Sequence, residues 1–113
     1  MHGISTHILD LTSGRPAEGV AVRLHRHEQG SWRVIAACRT DPNGRIADLL
    51  PTAETLKAGF YRLRFGTSAY FRNRGIESFH PFVDIAFQVR DTEEHYHVPL
   101  LITPHAYSTY RGS

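Results

Sequence analysis

The sequence lacks most of the features that would place it outside ordinary single-domain globular proteins. Its 113 residues include one cysteine, Cys38, so an intrachain disulfide is excluded. Cys38 lies in the apolar run RVIAAC, which predicts a small buried side chain rather than an exposed nucleophile. The formal net charge is only +2. Because the basic residues are also spread along the chain, nucleic acid is not an expected partner.

Long apolar runs and export signals are missing as well. No run approaches the roughly 18 apolar residues that a membrane-spanning helix needs, so no membrane partner is expected. The opening residues MHGISTHILDLT lack the basic and apolar regions of a secretory signal. With one thiol and no such signal, the cytoplasm is the expected location. Length and a hydrophobic content of 41% fit one folded domain over residues 1–113.

What the chain does have is a succession of short runs with β periodicity, separated by turn residues. The run VAVRLHRHE alternates valine and leucine with arginine and histidine, which is typical of a strand with one exposed face. DPNG at residues 41–44 predicts a tight turn, because proline fits its second position and Asn-Gly supplies left-handed geometry. The eight predicted strands cover residues 4–11, 20–28, 31–40, 45–50, 60–66, 82–90, 95–103 and 106–112.

One segment, TSAYFRNRG at residues 67–75, breaks the β pattern and predicts a short helix. The threonine and serine that open it are expected to cap its start and Gly75 to end it, with Tyr70 and Phe71 docked on a sheet. A single helical turn is also expected in TAETLKAG, residues 52–59. Eight short strands cannot share one flat sheet with a good core. The sequence therefore predicts an all-β, eight-stranded antiparallel sandwich of two sheets.

Eight histidines are the one compositional oddity. In HYHVPLLIT, a period of two places His95 and His97 on the face opposite the apolar positions. His7 in STHILD lies likewise on the less apolar side of its strand. Three interpretations stay open: solvated surface groups, a general base whose pKa suits neutral pH, or ligands of a metal. A third metal ligand would come from His7, His105 or Asp10, without diagnostic spacing.

Three segments together carry a resemblance to a known family. They are STHILDLTSGRPAEGVAVRL near the start, TDPNGRI in the middle and HYHVPLLITPHAYSTYRGS at the end. Over residues 4–113 the chain resembles the transthyretin-related 5-hydroxyisourate hydrolases. The terminal Tyr-Arg-Gly-Ser and the histidine at position 97 are the features that separate these enzymes from the hormone carrier transthyretin.

The resemblance implies a two-sheet sandwich with one short helix, assembled as a homotetramer that is a dimer of dimers. The last strands of neighbouring subunits would pair edge to edge, which covers an otherwise open sheet edge. It also implies a small purine-derived substrate, 5-hydroxyisourate, bound at the interface between dimers. A transthyretin-like carrier of small ligands, without catalysis, is the alternative.

The resemblance further implies which residues act, and it implies neither a cofactor nor a metal. In the implied reaction, histidine side chains would act as the general base and an arginine side chain would stabilise the developing oxyanion. The implied catalytic residues are His7, Arg45, His97 and Ser113, and the implied substrate-binding residues are His7, Arg45, Tyr110, Arg111 and Gly112.

Overall fold

The alternating apolar residues build two β-sheets that face each other, in a computed structural model that describes residues 3–113. One sheet has the strand order β2-β1-β8-β9, with β5 also paired to β1, and the other has the order β4-β3-β6-β7. The elements are β1 (Ile4–Asp10), β2 (Arg15–Pro16), β3 (Ala21–Glu28), β4 (Ser31–Arg39), β5 (Arg45–Ile46), β6 (Gly59–Phe65), α1 (Thr67–Arg72), β7 (Val83–Val89), β8 (Tyr96–Ile102) and β9 (Tyr107–Thr109).

The predicted two-sheet sandwich with one short helix is confirmed, with two differences in detail. Every predicted strand segment contains a strand, and an additional two-residue strand, Arg15–Pro16, lies where a turn was expected. The pairing is antiparallel except between β1 and β8, which run parallel from Ile4 opposite Tyr96 to Asp10 opposite Ile102. These two strands are far apart in the chain, so no tight hairpin forces them to be antiparallel.

The core lies between the two sheets and is built from alternate residues of their strands. Val22 and Leu24 of β3 and Val98 and Leu100 of β8 are buried there, as the period of two predicts. Phe87 of β7 is only half-buried, although the period of two puts it on the same face as the buried Val83 and Val89, and its ring stacks on that of Tyr61 with the centroids 5.8 Å apart. Its strand β7 lies at the edge of its sheet, where the opposite sheet covers less of it.

Three local predictions are wrong. Cys38 is exposed rather than buried, because β4 is an edge strand of its sheet. The strand predicted over residues 45–50 is limited to Arg45–Ile46. The segment 52–59 contains no helical turn of its own; instead the N–H of Glu54 donates to the carbonyl of Pro51 in a simple turn.

Among residues 3–113, no helix is both long enough and apolar enough to cross a membrane.

Helix α1 lies in its predicted place but is not capped as expected. Its N-cap is Gly66, with no side-chain hydrogen bond, and Thr67 is its first helical residue. It ends at Arg72, and Gly75 follows with a φ of +73°. Tyr70 is buried as predicted, and its hydroxyl donates to Asp10 Oδ2 at 2.9 Å, which fastens the helix to the end of β1.

The turn at residues 41–44 holds β5 against β1. Asp41 Oδ1 accepts hydrogen bonds from the backbone N–H groups of Asn43 and Arg45, each at 2.9 Å. Gly44 has a φ of +74°, and its carbonyl accepts from the N–H of Ile8 at 2.8 Å. A Cβ atom on Gly44 would lie 2.5 Å from the carbonyl oxygen of Ile8. Glycine at this position therefore allows the turn to approach β1 and place Arg45 beside it.

Gly44→Ala is expected to destabilise the protein by more than Gly14→Ala, which is the matched control. Gly14 has nearly the same φ of +73° but no neighbouring atom within 4 Å of an added Cβ. Gly14→Ala should cost only the left-handed backbone strain, about 1–2 kcal/mol, whereas Gly44→Ala adds a backbone clash. Urea unfolding of both variants measures the difference. Equal losses would show that the turn can withdraw from β1 without cost.

Candidate active site

Strand β1 gathers the candidate residues because it has neighbours on both sides. Ser5 lies opposite His97 in β8, and His7 lies opposite Arg45 in β5. Paired residues of neighbouring strands project to the same face of a sheet. The four side chains therefore share the outer face of this sheet, while Ile8 and other alternate residues point into the core. The predicted orientation of His7 and His97 away from the core is confirmed.

The C-terminal residues continue along β8 and bring the chain end to the same place. Beyond β9, the N–H of Gly112 donates to the carbonyl of His97 at 2.9 Å, and the two residues form an isolated antiparallel bridge. The hydroxyl of Thr109 donates to the carbonyl of Pro99 at 2.7 Å. These bonds hold the tail across the strand that carries His97, which places Ser113 next to that histidine.

A cleft of 340 Å³ opens on this face, and its lining includes Ser5, Arg45, His97 and Ser113. Its volume lies in the usual range of about 300–1,000 Å³ for small-molecule sites. His7 is not among the lining residues, although its strand pairs with Arg45. The arrangement combines an imidazole, a guanidinium and serine hydroxyls in one depression, which is suited to a small polar ligand.

Tyr110 and Arg111 do not line this cleft. They line a second depression, of 260 Å³, whose other walls include apolar residues of β7 and β8. The Arg111 guanidinium lies 4.5 Å from the centre of the Tyr96 ring and 3.6 Å from the carboxylate of Glu94. We place the candidate site in the first cleft, because Arg45, His97 and Ser113 all line it. Within one subunit, Tyr110 and Arg111 share the second depression with His97, whereas Arg45 and Ser113 line only the first cleft, so His97 is the predicted residue common to both.

Ser5, which the sequence analysis did not select, is central to the site. Its Oγ lies 2.7 Å from Nδ1 of His97 and 2.8 Å from Nε2 of His95. The available sequence signal was its position two residues before His7, which puts both on one face of β1. Sequence alone could not show that this face meets the two histidines of β8, because that depends on a pairing between strands 92 residues apart.

The electrostatic environment favours neutral imidazoles. Burial lowers the pKa of His97, and the positive charge of Arg45 lowers it further. The pKa of His7 is also lowered, first by burial and then by Arg45, against smaller opposing effects from Asn43 and Asp41. A neutral imidazole has a free lone pair at neutral pH, so either residue can act as a general base there.

The free energy of unfolding is expected to fall as the pH drops below the ordinary histidine pKa of 6.5. Folding lowers the pKa of His7, His97 and the buried His25, so the unfolded chain binds more protons in this range. The contribution of these histidines is therefore complete above pH 6.5 and is lost as the pH falls through their folded pKa values.

Urea unfolding at a series of pH values measures this dependence. His97→Asn should make it weaker, whereas His105→Asn, in an exposed loop, is the control and should leave it unchanged. A free energy of unfolding that rose on acidification through this window would contradict the expectation.

Gly112→Ala is expected to lower the activity of the site by displacing His97. An added Cβ would overlap Cδ2 of the His97 ring and lie 3.2 Å from Cγ of Pro99. Gly66→Ala is the control, since a Cβ there meets its nearest atoms at 3.6 Å, an ordinary contact. Turnover of both variants should be compared on the same substrate. Full activity of Gly112→Ala would mean that the tail can shift without consequence for the site.

The fold does not bring together the residues that were considered as metal ligands. Among residues 3–113, no three His, Cys, Asp or Glu side chains form a group that could hold a metal ion. The carboxylate of Asp10 is engaged by the Tyr70 hydroxyl and by the N–H of Thr12, each at 2.9 Å. His105 is exposed in the loop between β8 and β9. The expected absence of a metal stays a prediction, which chelator treatment tests.

The two-sheet sandwich with one short helix and a polar cleft on an outer sheet face defines a transthyretin-like protein. The structure of transthyretin from Sparus aurata superposes with a TM-score of 0.92 at 32% identity, covering 99% of this chain and 97% of that one. The structure of Klebsiella pneumoniae 5-hydroxyisourate hydrolase superposes with a TM-score of 0.85 at 43% identity, covering 97% and 98%.

The chain belongs to the HIUase/Transthyretin family, whose model matches residues 4–112. It is similar to the 5-hydroxyisourate hydrolase of Caulobacter vibrioides, with 44% identity over 117 aligned positions that cover 100% of both chains. The family resemblance noted from the sequence is thus confirmed. Since the fold is shared by hydrolases and carriers, the side chains in the cleft must distinguish the two activities.

Proposed function

We propose that this protein is a 5-hydroxyisourate hydrolase, which adds water across a ring amide to give 2-oxo-4-hydroxy-4-carboxy-5-ureidoimidazoline in urate degradation. The hydrolases named above support the substrate. The main structural support for the proposal is that Arg45, His97 and Ser113 line the same cleft. A carrier needs no general base beside a cation, whereas hydrolysis of an amide needs both.

His97 is the candidate base for the attacking water. Its lowered pKa keeps the ring neutral at pH 7, so it can accept the proton of the water as the C–O bond forms. This action contributes a factor of about 10²–10⁴ to the rate. His7 does not line the cleft within one subunit, but the β1–β5 register holds it beside Arg45, and it is the proposed second group that orients the water or the substrate.

Arg45 and the chain end supply the remaining interactions. The Arg45 guanidinium can donate two hydrogen bonds to substrate oxygens and stabilise the negative charge that develops on the carbonyl oxygen. Ser113 lines the same cleft and can hold the substrate or the water through its hydroxyl. Tyr110, Arg111 and Gly112 complete the proposed binding site, Gly112 by fixing the tail to His97.

The proposed assembly is a homotetramer, a dimer of dimers with the site at the interface between dimers. Exposed aromatic side chains lie in or close to β7 and β9, two of the edge strands, each of which has one edge unpaired in an isolated subunit. They are Phe79, Phe82, Tyr107 and Tyr110, which are 74%, 40%, 42% and 58% exposed. Light scattering should report four chains, and a fully active monomer would contradict an interfacial site.

An ultraviolet assay on freshly generated 5-hydroxyisourate tests the function directly. The protein should accelerate the loss of substrate absorbance far above the spontaneous rate, and dialysis against a chelator should not reduce this acceleration. Binding without turnover would support the carrier alternative, in keeping with the transthyretin-like fold. Activity that is lost on chelation and restored by zinc would contradict the metal-free mechanism. Cytoplasmic location also stays a proposal, which cell fractionation tests.

A further inference from the structure

The hydroxyl of Ser5 is shared between two imidazoles. Its Oγ lies 2.7 Å from Nδ1 of His97 and 2.8 Å from Nε2 of His95, and both distances are those of direct hydrogen bonds. Ser5 itself is only 7% exposed, so water has little access to compete for this hydroxyl. The strand register places Ser5 directly opposite His97, which makes the contact a consequence of β1–β8 pairing.

The single hydroxyl proton of Ser5 can be donated to only one of the two imidazole rings. The tautomer of one ring therefore depends on the tautomer of the other. A serine hydroxyl has one donor and two acceptor positions. Ser5 could accept an N–H from both rings only by leaving its own proton unpaired, because its Oγ has no further hydrogen-bond partner among residues 3–113. If both rings are neutral, Ser5 therefore donates to one imidazole nitrogen and accepts an N–H from the other. Either His97 carries its proton on Nδ1 and His95 accepts from Ser5, or His95 carries a proton on Nε2 and His97 accepts. Only the first arrangement leaves Nε2 of His97 as a free lone pair.

The charge in the cleft favours the first arrangement. Nδ1 of His97 is occupied by Ser5, so Nε2 is the nitrogen left for the cleft that His97 shares with Arg45. A lone pair facing a positive guanidinium is more stable than an N–H facing it. Nδ1 of His95 is buried without a hydrogen-bond partner among residues 3–113. In the first arrangement this nitrogen carries an unpaired N–H and in the second an unpaired lone pair, so its burial opposes the first arrangement and the charge of Arg45 must outweigh that cost.

We propose that Ser5 and His95 are positioning residues for His97. Ser5 accepts the Nδ1 proton of His97 and donates its own proton to Nε2 of His95, and His97 thereby presents an unprotonated Nε2 to the cleft. The catalytic consequence rests on the proposed hydrolase function, whereas the tautomer itself does not. The same logic operates wherever the second nitrogen of a catalytic histidine is held by a neighbouring group.

The tautomer is measured first, on the unmodified protein without substrate. Nitrogen-15 chemical shifts of the labelled histidines distinguish a ring protonated on Nδ1 from one protonated on Nε2. We expect His97 to carry its proton on Nδ1. A neutral His97 with the proton on Nε2 would overturn the proposal, whether or not the protein hydrolyses 5-hydroxyisourate. Absence of hydrolysis together with the Nδ1 tautomer would overturn only the proposed function.

Variants then test the coupling. Ser5→Ala removes the acceptor, so the His97 proton should move to Nε2 and kcat should fall at least about tenfold, with a smaller change in KM. His95→Phe keeps the ring shape without a nitrogen, and its kcat should fall as well. His95→Gln places an amide oxygen near the position of Nε2, where it can accept from Ser5, and it should retain more activity than His95→Phe.

Two results from the variants would overturn the proposal. One is a Ser5→Ala protein with unchanged kcat, and the other is equal activity of His95→Gln and His95→Phe. Each variant should first be shown to unfold cooperatively in urea. If Ser5→Ala does not fold, the tautomer of the unmodified protein and the comparison of the two His95 variants still decide the question.

Discussion

His97→Asn is expected to lower the turnover of 5-hydroxyisourate by a factor of about 10² or more while the sandwich stays folded. The asparagine amide takes roughly the place of Nδ1, so it can keep a hydrogen bond to Ser5, but nothing replaces Nε2. The core residues of β8, Val98 and Leu100, are untouched. Turnover in the ultraviolet assay and urea unfolding should be measured on the same preparation.

His95→Asn is the matched control for this prediction, since it makes the same change two residues away on the same face. His95 does not line the cleft with Arg45; it contacts Ser5. It acts only through Ser5 and His97, so its loss should reduce turnover by less than the loss of His97. Should the two variants prove equally impaired, the assignment of the base within HYH would be wrong.

Deletion of residues 110–113 is expected to abolish hydrolysis with only a modest loss of stability. The deletion removes Ser113 from the cleft and the hydrogen bond from Gly112 to the carbonyl of His97. Strand β9 remains, because Thr109 is its last residue and pairs with Leu100. The core between the sheets loses no side chain. Turnover should fall by at least about 10²–10³, the value of a well-placed polar group at a developing oxyanion.

A milder test of the C-terminal residues extends the chain beyond Ser113 instead of deleting residues 110–113. Residues added after Ser113 would have to occupy the cleft or pull the tail away from β8. An affinity tag at the C-terminus should therefore impair turnover more than the same tag at the N-terminus. The two tagged proteins should be assayed side by side on fresh substrate. Equal rates would mean that the terminus is open to solvent, and the role of the last four residues would have to be withdrawn.

Much of the local structure follows from the sequence because it depends on near neighbours in the chain. The period of two in VAVRLHRHE and HYHVPLLIT determines which residues enter the core and which face outward, since successive side chains of a strand alternate. DPNG determines its turn, because proline and glycine restrict or permit the required backbone angles within four residues. Segments such as Tyr-Arg-Gly-Ser carry the resemblance to the family that is confirmed over residues 4–112, and the roles that the resemblance implies for His7, Arg45 and His97 stay predictions.

The neighbours of each strand were decided only by the tertiary structure. The parallel pairing of β1 with β8 joins residues about ninety positions apart, and no local pattern specifies it. That pairing brings Ser5 into contact with two histidines, and the separate pairing of β1 with β5 places Arg45 opposite His7. Exposure of Cys38 has the same origin, because an apolar strand becomes exposed when it lies at a sheet edge. Side-chain alternation is a property of one strand, whereas a site built across three strands is a property of their pairing.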